Sequence, residues 1–341
     1  MSLSESDALA RPLAETAAAI GESRSIVLAC HVNPDGDALG SMLGLALALI
    51  PLGKDLVCLS QDGVPDILRF LPGTEMIVQT TDIPAFDLAL VVDSGELARV
   101  GESVKPLIAR ARRTVDIDHH VTAGAFGDIR VLDAQAASTA EIVYALLQTI
   151  GLLITPEIAT CLFTGIITDT GSFRFQNVTA DTLTVAARLI DAGASPSFVS
   201  EHVFENRTFA ATKLLGLALS SLSRTPDGRI AWAHVTRDDF ARLGAADEDS
   251  EGLVNPVRSV RGAEVGVSFR EMPDGTVRVS LRSREGVDVG KIAQQFGGGG
   301  HRMAAGCTLT VPLAEAETAV LDALQAALPE KQESGPPRIG G

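Results

Sequence analysis

The sequence predicts an α/β protein in which a mainly parallel sheet flanked by helices precedes a smaller α/β domain with a mixed sheet, with a cleft between them. Short, continuously apolar runs alternate with helical patterns in the first half, which is typical of a parallel sheet covered on both faces. In the second half, two alternating runs flank a turn with Asp274 and Gly275, which indicates a β-hairpin. The length of 341 residues favours two domains, each with its own core.

The elements of the first domain follow one another regularly. The N-terminus is typical of a capped, Ala-rich helix and lacks the pattern of a secretory signal. Buried strands are predicted at SIVLAC, DLVCLS, MIVQ, DLALVVD and TVDID, because these runs lack polar alternation. Helices are predicted at ALGSMLGLALALIPLG, at STAEIVYALLQTIG opened by Ser138 or Thr139, at PEIATCLFTGIITD opened by Pro156, and at TADTLTVAARLIDAG.

The pattern changes near residue 230. IAWAHV predicts a strand, DDFARLG a helix, and VGKIAQQFG a short helix that leads into four glycines, 297–300. We therefore expect a first domain at 1–190, a helical linker at 191–215, a second domain at 216–329 and a disordered, Pro/Gly-rich tail at 330–341.

Composition excludes several classes of protein. The net charge of −15 argues against a protein that coats long duplex nucleic acid, although residues 251–310 carry eight basic and six acidic side chains. No apolar run reaches the roughly 18 residues that a membrane span needs. The four cysteines are scattered through apolar stretches and predict neither disulfides nor a zinc site. We expect a cytoplasmic protein.

The segment HVNPDGD places His31, Asp35 and Asp37 directly after the first buried strand. Open α/β sheets bind ligands at the carboxyl ends of their strands, so these three side chains can converge on a metal ion. The alternative is an Asx-rich turn that caps the following helix, a role that Asp37 could fill alone.

Other polar side chains end later runs in the same way. Asp93 ends DLALVV, His119 and His120 follow TVDID, and Asp169 ends GIITD. Adjacent histidines point in different directions, so one can bind a metal while the other faces a substrate. Three further carboxylates rank lower as ligands, with Asp118 a candidate outer partner: Asp116, Asp118 and Asp133.

Two histidines and four aspartates suffice for two divalent ions if one carboxylate bridges them. This donor set favours Mn²⁺, with Mg²⁺, Co²⁺ or Fe²⁺ as possible substitutes, and the lack of thiolates disfavours structural zinc. Two ions about 3.5–4 Å apart can share a hydroxide and direct it at phosphorus, which predicts a phosphoesterase. The predicted ligands are His31, Asp35, Asp37, Asp93, His119 and Asp169.

The ordered segments HVNPDGD, VVDSGE, IDHH and TDTGSF resemble those of the DHH phosphoesterase superfamily, and FGGGGHRMAAG resembles its DHHA1 domain. The resemblance covers about residues 20–325, with one domain of each type, as in the bifunctional oligoribonuclease and 3′-phosphoadenosine 5′-phosphate phosphatase branch (the NrnA type). It implies two manganese ions, with Asp93 as their bridge and as a catalytic residue. It also implies that His120 contacts the phosphate and takes part in catalysis.

The resemblance further implies a substrate site in the second domain. Glycines before a histidine can close backbone N–H groups around a phosphate, although four glycines are more often a flexible turn. Arg282 can pair with phosphate through two hydrogen bonds, or can be an exposed strand residue. The implied substrate residues are His120, Arg282, Ser283, Gly299, Gly300, His301 and Arg302.

The resemblance implies a hydrolase that degrades short oligoribonucleotides (nanoRNA) to mononucleotides and converts 3′-phosphoadenosine 5′-phosphate to AMP. The expected partners are short RNA and nucleotide bisphosphates, without long duplexes or membranes, and a homodimer is possible. One alternative is a phosphodiesterase of cyclic di-AMP or its linear product. An alternative of another class is a nucleotide-sensing module without catalysis, against which the complete ligand set argues.

Overall fold

The computed structural model describes residues 3–120, 126–284 and 286–329. It divides into two compact units between Asn206 and Arg207. The tail at 330–341, for which disorder is predicted, lies outside the described residues. None of the described helices is long and apolar enough to cross a membrane.

The first unit contains the predicted parallel sheet. Its strands are β1 (Ser25–Ala29), β2 (Asp55–Leu59), β3 (Ile77–Val78), β4 (Phe86–Val92), β5 (Ala111–Asp118) and β6 (Ile129–Leu132). They lie in the order β3-β2-β1-β4-β5-β6, and all neighbours are parallel. This order makes β1, β4 and β5 adjacent, so their carboxyl ends meet at one edge.

Helices bury both faces of this sheet. The helices are α1 (Leu3–Glu22), α2 (Gly36–Leu49), α3 (Lys105–Ile108), α4 (Thr139–Ile150), α5 (Pro156–Asp169), α6 (Ala180–Asp191) and α7 (Pro196–Ser200), followed by a π-helical turn (Glu201–Glu205). In β1, Ile26 and Leu28 enter one apolar core while Val27 and Ala29 enter another. Burial on both faces explains why the sequence of β1 lacks polar alternation.

The second unit contains a mixed sheet, as the sequence predicts. Its strands are β7 (Ser223–Arg224), β8 (Ile230–Val235), β9 (Val265–Glu271), β10 (Val277–Ser283), β11 (Gly299–His301) and β12 (Ala304–Leu309). They lie in the order β11-β12-β10-β9-β8-β7, with β8 and β9 parallel and the other neighbours antiparallel. Its helices are α8 (Phe209–Ser220), α9 (Arg237–Leu243), α10 (Val254–Arg258), α11 (Val289–Gln295) and α12 (Leu313–Ala327).

Candidate metal centre

Five candidate ligands reach the same edge of the parallel sheet. Asp93 directly follows β4, His119 directly follows β5, and His31 lies two residues after β1. Helix α2 adds Asp37 from its first turn, and α5 ends with Asp169. Parallel strands bring their carboxyl ends together, which explains why residues far apart in the chain lie in one place.

These residues form three overlapping groups. Within each group the ligand atoms lie within 4.8 Å of one another: His31, Asp35 and Asp93; Asp37, His119 and Asp169; Asp93, His119 and His120. The two carboxylate oxygens of Asp93 face different histidines: Oδ2 lies 3.5 Å from His31 Nε2, and Oδ1 lies 3.6 Å from His119 Nε2. One carboxylate therefore presents a different oxygen to each side of the cluster.

Two of the histidines in these groups, His31 and His119, are held in the way that metal-binding histidines usually are. His31 donates its Nδ1–H to the carbonyl of Val32 at 2.7 Å, and His119 Nδ1 lies 3.4 Å from the carbonyl of Ala136. Each ring thereby turns its Nε2 toward the carboxylates. A backbone partner on the other nitrogen fixes the ring and the tautomer that binds a metal. The residues present thus fit a divalent cation.

The charges of the cluster also fit a cation. Burial lowers the pKa of His31, but Asp35 and Asp93 outweigh it and raise that pKa to about 10. Burial raises the pKa of Asp169 to about 6, against the opposing effect of His119. Burial, and then the charges of Asp93 and Asp169, raise the pKa of Asp37 well above its ordinary value. The raised pKa values of these carboxyl groups show that negative charge is costly here, and a bound cation would offset that cost.

Asp35 and Asp37 have different local duties. Asp35 is the N-cap of α2, and its Oδ1 accepts hydrogen bonds from the N–H groups of Asp37 and Ala38 at 3.1 and 3.0 Å. Helix capping, which the sequence offers as an alternative role for Asp37, is therefore carried out by Asp35. Asp37 is fully buried in the first turn, where the hydroxyl of Ser41 donates to it at 3.2 Å.

Glycines bring α2 and α5 into close contact. A Cβ on Gly40 would lie 2.3 Å from the carbonyl oxygen of Cys161, and one on Gly165 would lie 2.6 Å from Asp37 Oδ1. The near neighbour of Gly40 is therefore the backbone of α5. This helix contact sets Asp37 beside the end of α5, where Asp169 lies.

His120 has a different partner from His119, as the sequence predicts for adjacent histidines. Its Nδ1–H donates to Asp118 Oδ1 at 2.6 Å. Burial raises the pKa of Asp118, but the hydrogen bond and charge of His120 outweigh it and hold that pKa below its ordinary value. Asp118 thus orients His120 as an ionised acceptor, which agrees with the outer role that the sequence suggests for it.

Asp116 lies apart from these groups. It is fully buried in β5, and neither carboxylate oxygen has a hydrogen-bond partner among the described residues. Burial, followed by the charge of Asp118, raises its pKa to about 8, while Arg130 at 4.0 Å opposes the shift. Asp133 serves a turn, since its Oδ1 accepts a hydrogen bond from the N–H of Gln135.

Asp116→Asn is expected to flatten the dependence of stability on pH. The unfolded carboxyl loses its proton near the usual value of 3.8, but the folded one keeps it to about 8. Folding therefore takes up a proton at Asp116 between these values, and this group's contribution to the stability falls as pH rises, by at most about 1.4 kcal/mol per pH unit. Urea unfolding of metal-free protein from pH 5 to 8 measures this slope, and equal slopes for both proteins would contradict the expectation.

The second unit brings most of the predicted substrate residues to one end of its sheet. Arg282 pairs with Ala304 on β12, which pairs in turn with His301 on β11, so the two positions lie on either side of β12. Arg282 is half-buried, its Nη1 donates to the carbonyl of Leu281, and burial lowers its pKa. The side chain of His301 lies outside the described part of the structure.

The remaining residues of this end have defined environments. The hydroxyl of Ser283 is buried and donates to the carbonyl of Val287 at 2.8 Å. Gly300 has a φ of +138°, and a Cβ there would lie 2.5 Å from the carbonyl oxygen of Ala304. Gly299 has open space around it, and Arg302 is exposed. The glycine run is thus partly a strand that needs glycine to pack on β12.

Known protein families and relatives match most of the chain. A model described as the DHH family, N-terminal domain, matches residues 25–166, and a DHHA1 domain model matches 233–330. A Thermus thermophilus protein named bifunctional oligoribonuclease and PAP phosphatase NrnA is 39% identical over 88% of this chain and 89% of its own. The Bacillus subtilis protein of the same name is 28% identical over 84% and 89%. A solved exopolyphosphatase-related protein from Bacteroides fragilis has a TM-score of 0.88 and 26% identity, covering 93% and 96%.

The chain belongs to the DHH phosphoesterase family and is a hydrolase of phosphoester bonds. Within that family it carries a DHHA1 domain and resembles the NrnA type, which confirms the resemblance inferred from the motifs.

Proposed function

We propose that the chain hydrolyses short oligoribonucleotides to mononucleotides and 3′-phosphoadenosine 5′-phosphate to AMP, with two manganese ions per chain. The observation that carries the two-ion part is the placement of Asp93, which offers one oxygen to each side of the cluster. The substrates are those in the names of the Thermus and Bacillus relatives. Each hydrolysis consumes one water per bond.

The proposed ligand sets follow the groups in the structure. His31, Asp35 and Asp93, which form one of these groups, would hold one ion. The group of Asp37, His119 and Asp169 would hold the other, together with Asp93, whose Oδ1 lies 3.6 Å from His119 Nε2. Bound divalent ions supply positive charge beside a phosphoryl group and make water a better nucleophile at neutral pH.

The chain's own residues would orient the substrate and move a proton. His120 keeps its Nδ1 on Asp118 at 2.6 Å, so Nε2 is the ring atom turned away from that carboxylate. In this orientation the ring would contact the phosphate and supply a proton to the leaving oxygen. The proposed substrate residues of the second unit would bind a phosphate or nucleotide. Arg282 would contribute most, because its positive charge pairs with the phosphate.

Parallel assays test this function. The purified protein with Mn²⁺ is offered an RNA of two to five nucleotides, 3′-phosphoadenosine 5′-phosphate, cyclic di-AMP and pyrophosphate. We expect mononucleotides from the RNA and AMP with phosphate from the bisphosphate. Phosphate from pyrophosphate alone would refute the proposal, faster cleavage of cyclic di-AMP would favour the phosphodiesterase alternative, and no turnover would favour a sensor. Calorimetric titration with Mn²⁺ should give two ions per chain.

Arg282→Ala is expected to weaken substrate binding. Loss of a charge-assisted hydrogen bond costs about 1.5–3 kcal/mol, so KM should rise roughly tenfold to hundredfold while Mn²⁺ binding stays unchanged. Arg278→Ala is the matched control, because Arg278 lies four residues earlier on the same strand and pairs with Asp247. Equal KM values for the Arg282 variant and the wild type would remove Arg282 from the substrate site.

A further inference from the structure

The first residue of α4 contacts two of the candidate ligands. The N–H of Thr139 donates to Asp37 Oδ2 at 2.6 Å, and the next N–H, of Ala140, donates to Asp37 Oδ1 at 2.9 Å. The hydroxyl of Thr139 donates to Asp93 Oδ1 at 3.0 Å. One residue therefore joins a carboxylate from α2 to the carboxylate that follows β4.

Asp37 takes the place of a local cap on α4. Ser138 is the N-cap residue, but its side chain makes no capping hydrogen bond, and its buried hydroxyl has no partner among the described residues. The first N–H groups of α4 instead point at a carboxylate 102 residues earlier in the chain. A helix N-terminus stabilises a nearby negative charge, so α4 offsets part of the cost of burying Asp37.

The hydroxyl of Thr139 restrains the rotation of the Asp93 side chain. Asp93 has a φ of +54°, a left-handed conformation uncommon for residues other than glycine, and its N–H donates to the carbonyl of Ile117 at 2.9 Å. That bond fixes the backbone, while the hydroxyl holds Oδ1 on the side of His119 and leaves Oδ2 facing His31. Thr139 is fully buried, so water does not compete for this contact.

We propose that Thr139 is a positioning residue, which holds Asp93 in the orientation that serves two ions and couples it to Asp37. This inference rests on the proposed two-ion function. A substitution of Thr139 removes only the hydrogen bond from its hydroxyl to Asp93. The backbone hydrogen bonds to Asp37 remain in any variant that keeps α4. Loss of such an outer contact typically lowers metal affinity about 10-fold to 100-fold.

The test compares Mn²⁺ binding by calorimetry in four proteins without substrate: wild type, Thr139→Val, Thr139→Ser and Thr16→Val. Valine keeps the shape of threonine and removes the hydroxyl, whereas serine keeps the hydroxyl. Thr16 controls for the loss of a buried hydroxyl elsewhere, because it is fully buried in α1 and bonds to the carbonyl of Pro12. Thr139→Ala replaces the valine variant if that protein does not fold.

Thr139→Val is expected to bind Mn²⁺ about 10-fold to 100-fold more weakly, while Thr139→Ser and Thr16→Val stay within about threefold of the wild type. Turnover of the valine variant should be low at limiting Mn²⁺ and recover at high Mn²⁺. Equal Mn²⁺ affinity in the valine variant and the wild type would overturn the role of Thr139. A wild type that binds fewer than two ions would instead overturn the proposed function, so the two failures are distinguishable.

Discussion

Asp93→Asn is expected to lower turnover on the order of 10³-fold or more at saturating Mn²⁺, because loss of about 4 kcal/mol of transition-state stabilisation gives that factor. Asparagine keeps the size of the side chain and one oxygen, but it replaces the second oxygen with an NH₂ group that cannot bind a cation. Asp93 presents its two oxygens to His31 and His119, respectively. The amide therefore disables one side of the cluster whichever way it is turned.

Two measurements separate this effect from misfolding. Calorimetry should show fewer than two Mn²⁺ ions bound per chain, and circular dichroism should remain that of the wild type. Asp181→Asn is the control, because Asp181 is exposed in the first turn of α6, away from the metal groups. Retention of more than a tenth of the wild-type turnover by the Asp93 variant would refute its role as the bridge.

The metal groups were predictable because the sequence marks where strands end. His31 and Asp93 each follow an apolar run, His119 follows the strand TVDID, and parallel strands leave their carboxyl ends together. The same reasoning gave no prediction of β6 (Ile129–Leu132). That strand is only four residues long and Arg130 interrupts its apolar pattern, so the pattern does not distinguish it from a loop.

Contacts between distant segments were beyond the reach of local patterns. Thr139 was recognisable as a residue near a helix start, but its bond to Asp93 spans 46 residues and depends on how α4 meets the sheet. The cap that the alternative interpretation gave to Asp37 belongs to Asp35. Asp35 precedes α2 and Asp37 lies in its first turn, and only the folded chain distinguishes their roles. Ser283 follows an arginine in a strand, yet nothing local indicates that its hydroxyl binds the carbonyl of Val287.

Gly40→Ala is expected to destabilise the first unit and weaken its metal site together. Alanine is a better helix former than glycine by about 1 kcal/mol, so α2 alone would gain stability. The added methyl group, however, would lie 2.3 Å from the carbonyl oxygen of Cys161, which belongs to the backbone of α5 and cannot turn away alone. Overpacking of this kind costs about 1–3 kcal/mol and sometimes more, so the net loss after the gain in helix propensity should reach about 2 kcal/mol at the upper end of this range.

The same displacement would move Asp37 on α2 away from Asp169 on α5, and Mn²⁺ affinity should fall at least about tenfold. Gly216→Ala is the matched control, because Gly216 lies within α8 and a Cβ there meets nothing within 4 Å. That variant should be more stable than the wild type by about 0.5–1 kcal/mol, with unchanged Mn²⁺ binding. Urea unfolding without metal, followed by calorimetric titration of each protein, measures both effects. If Gly40→Ala also gained stability and kept its Mn²⁺ affinity, the close contact of α2 with α5 could not be what brings Asp37 and Asp169 together.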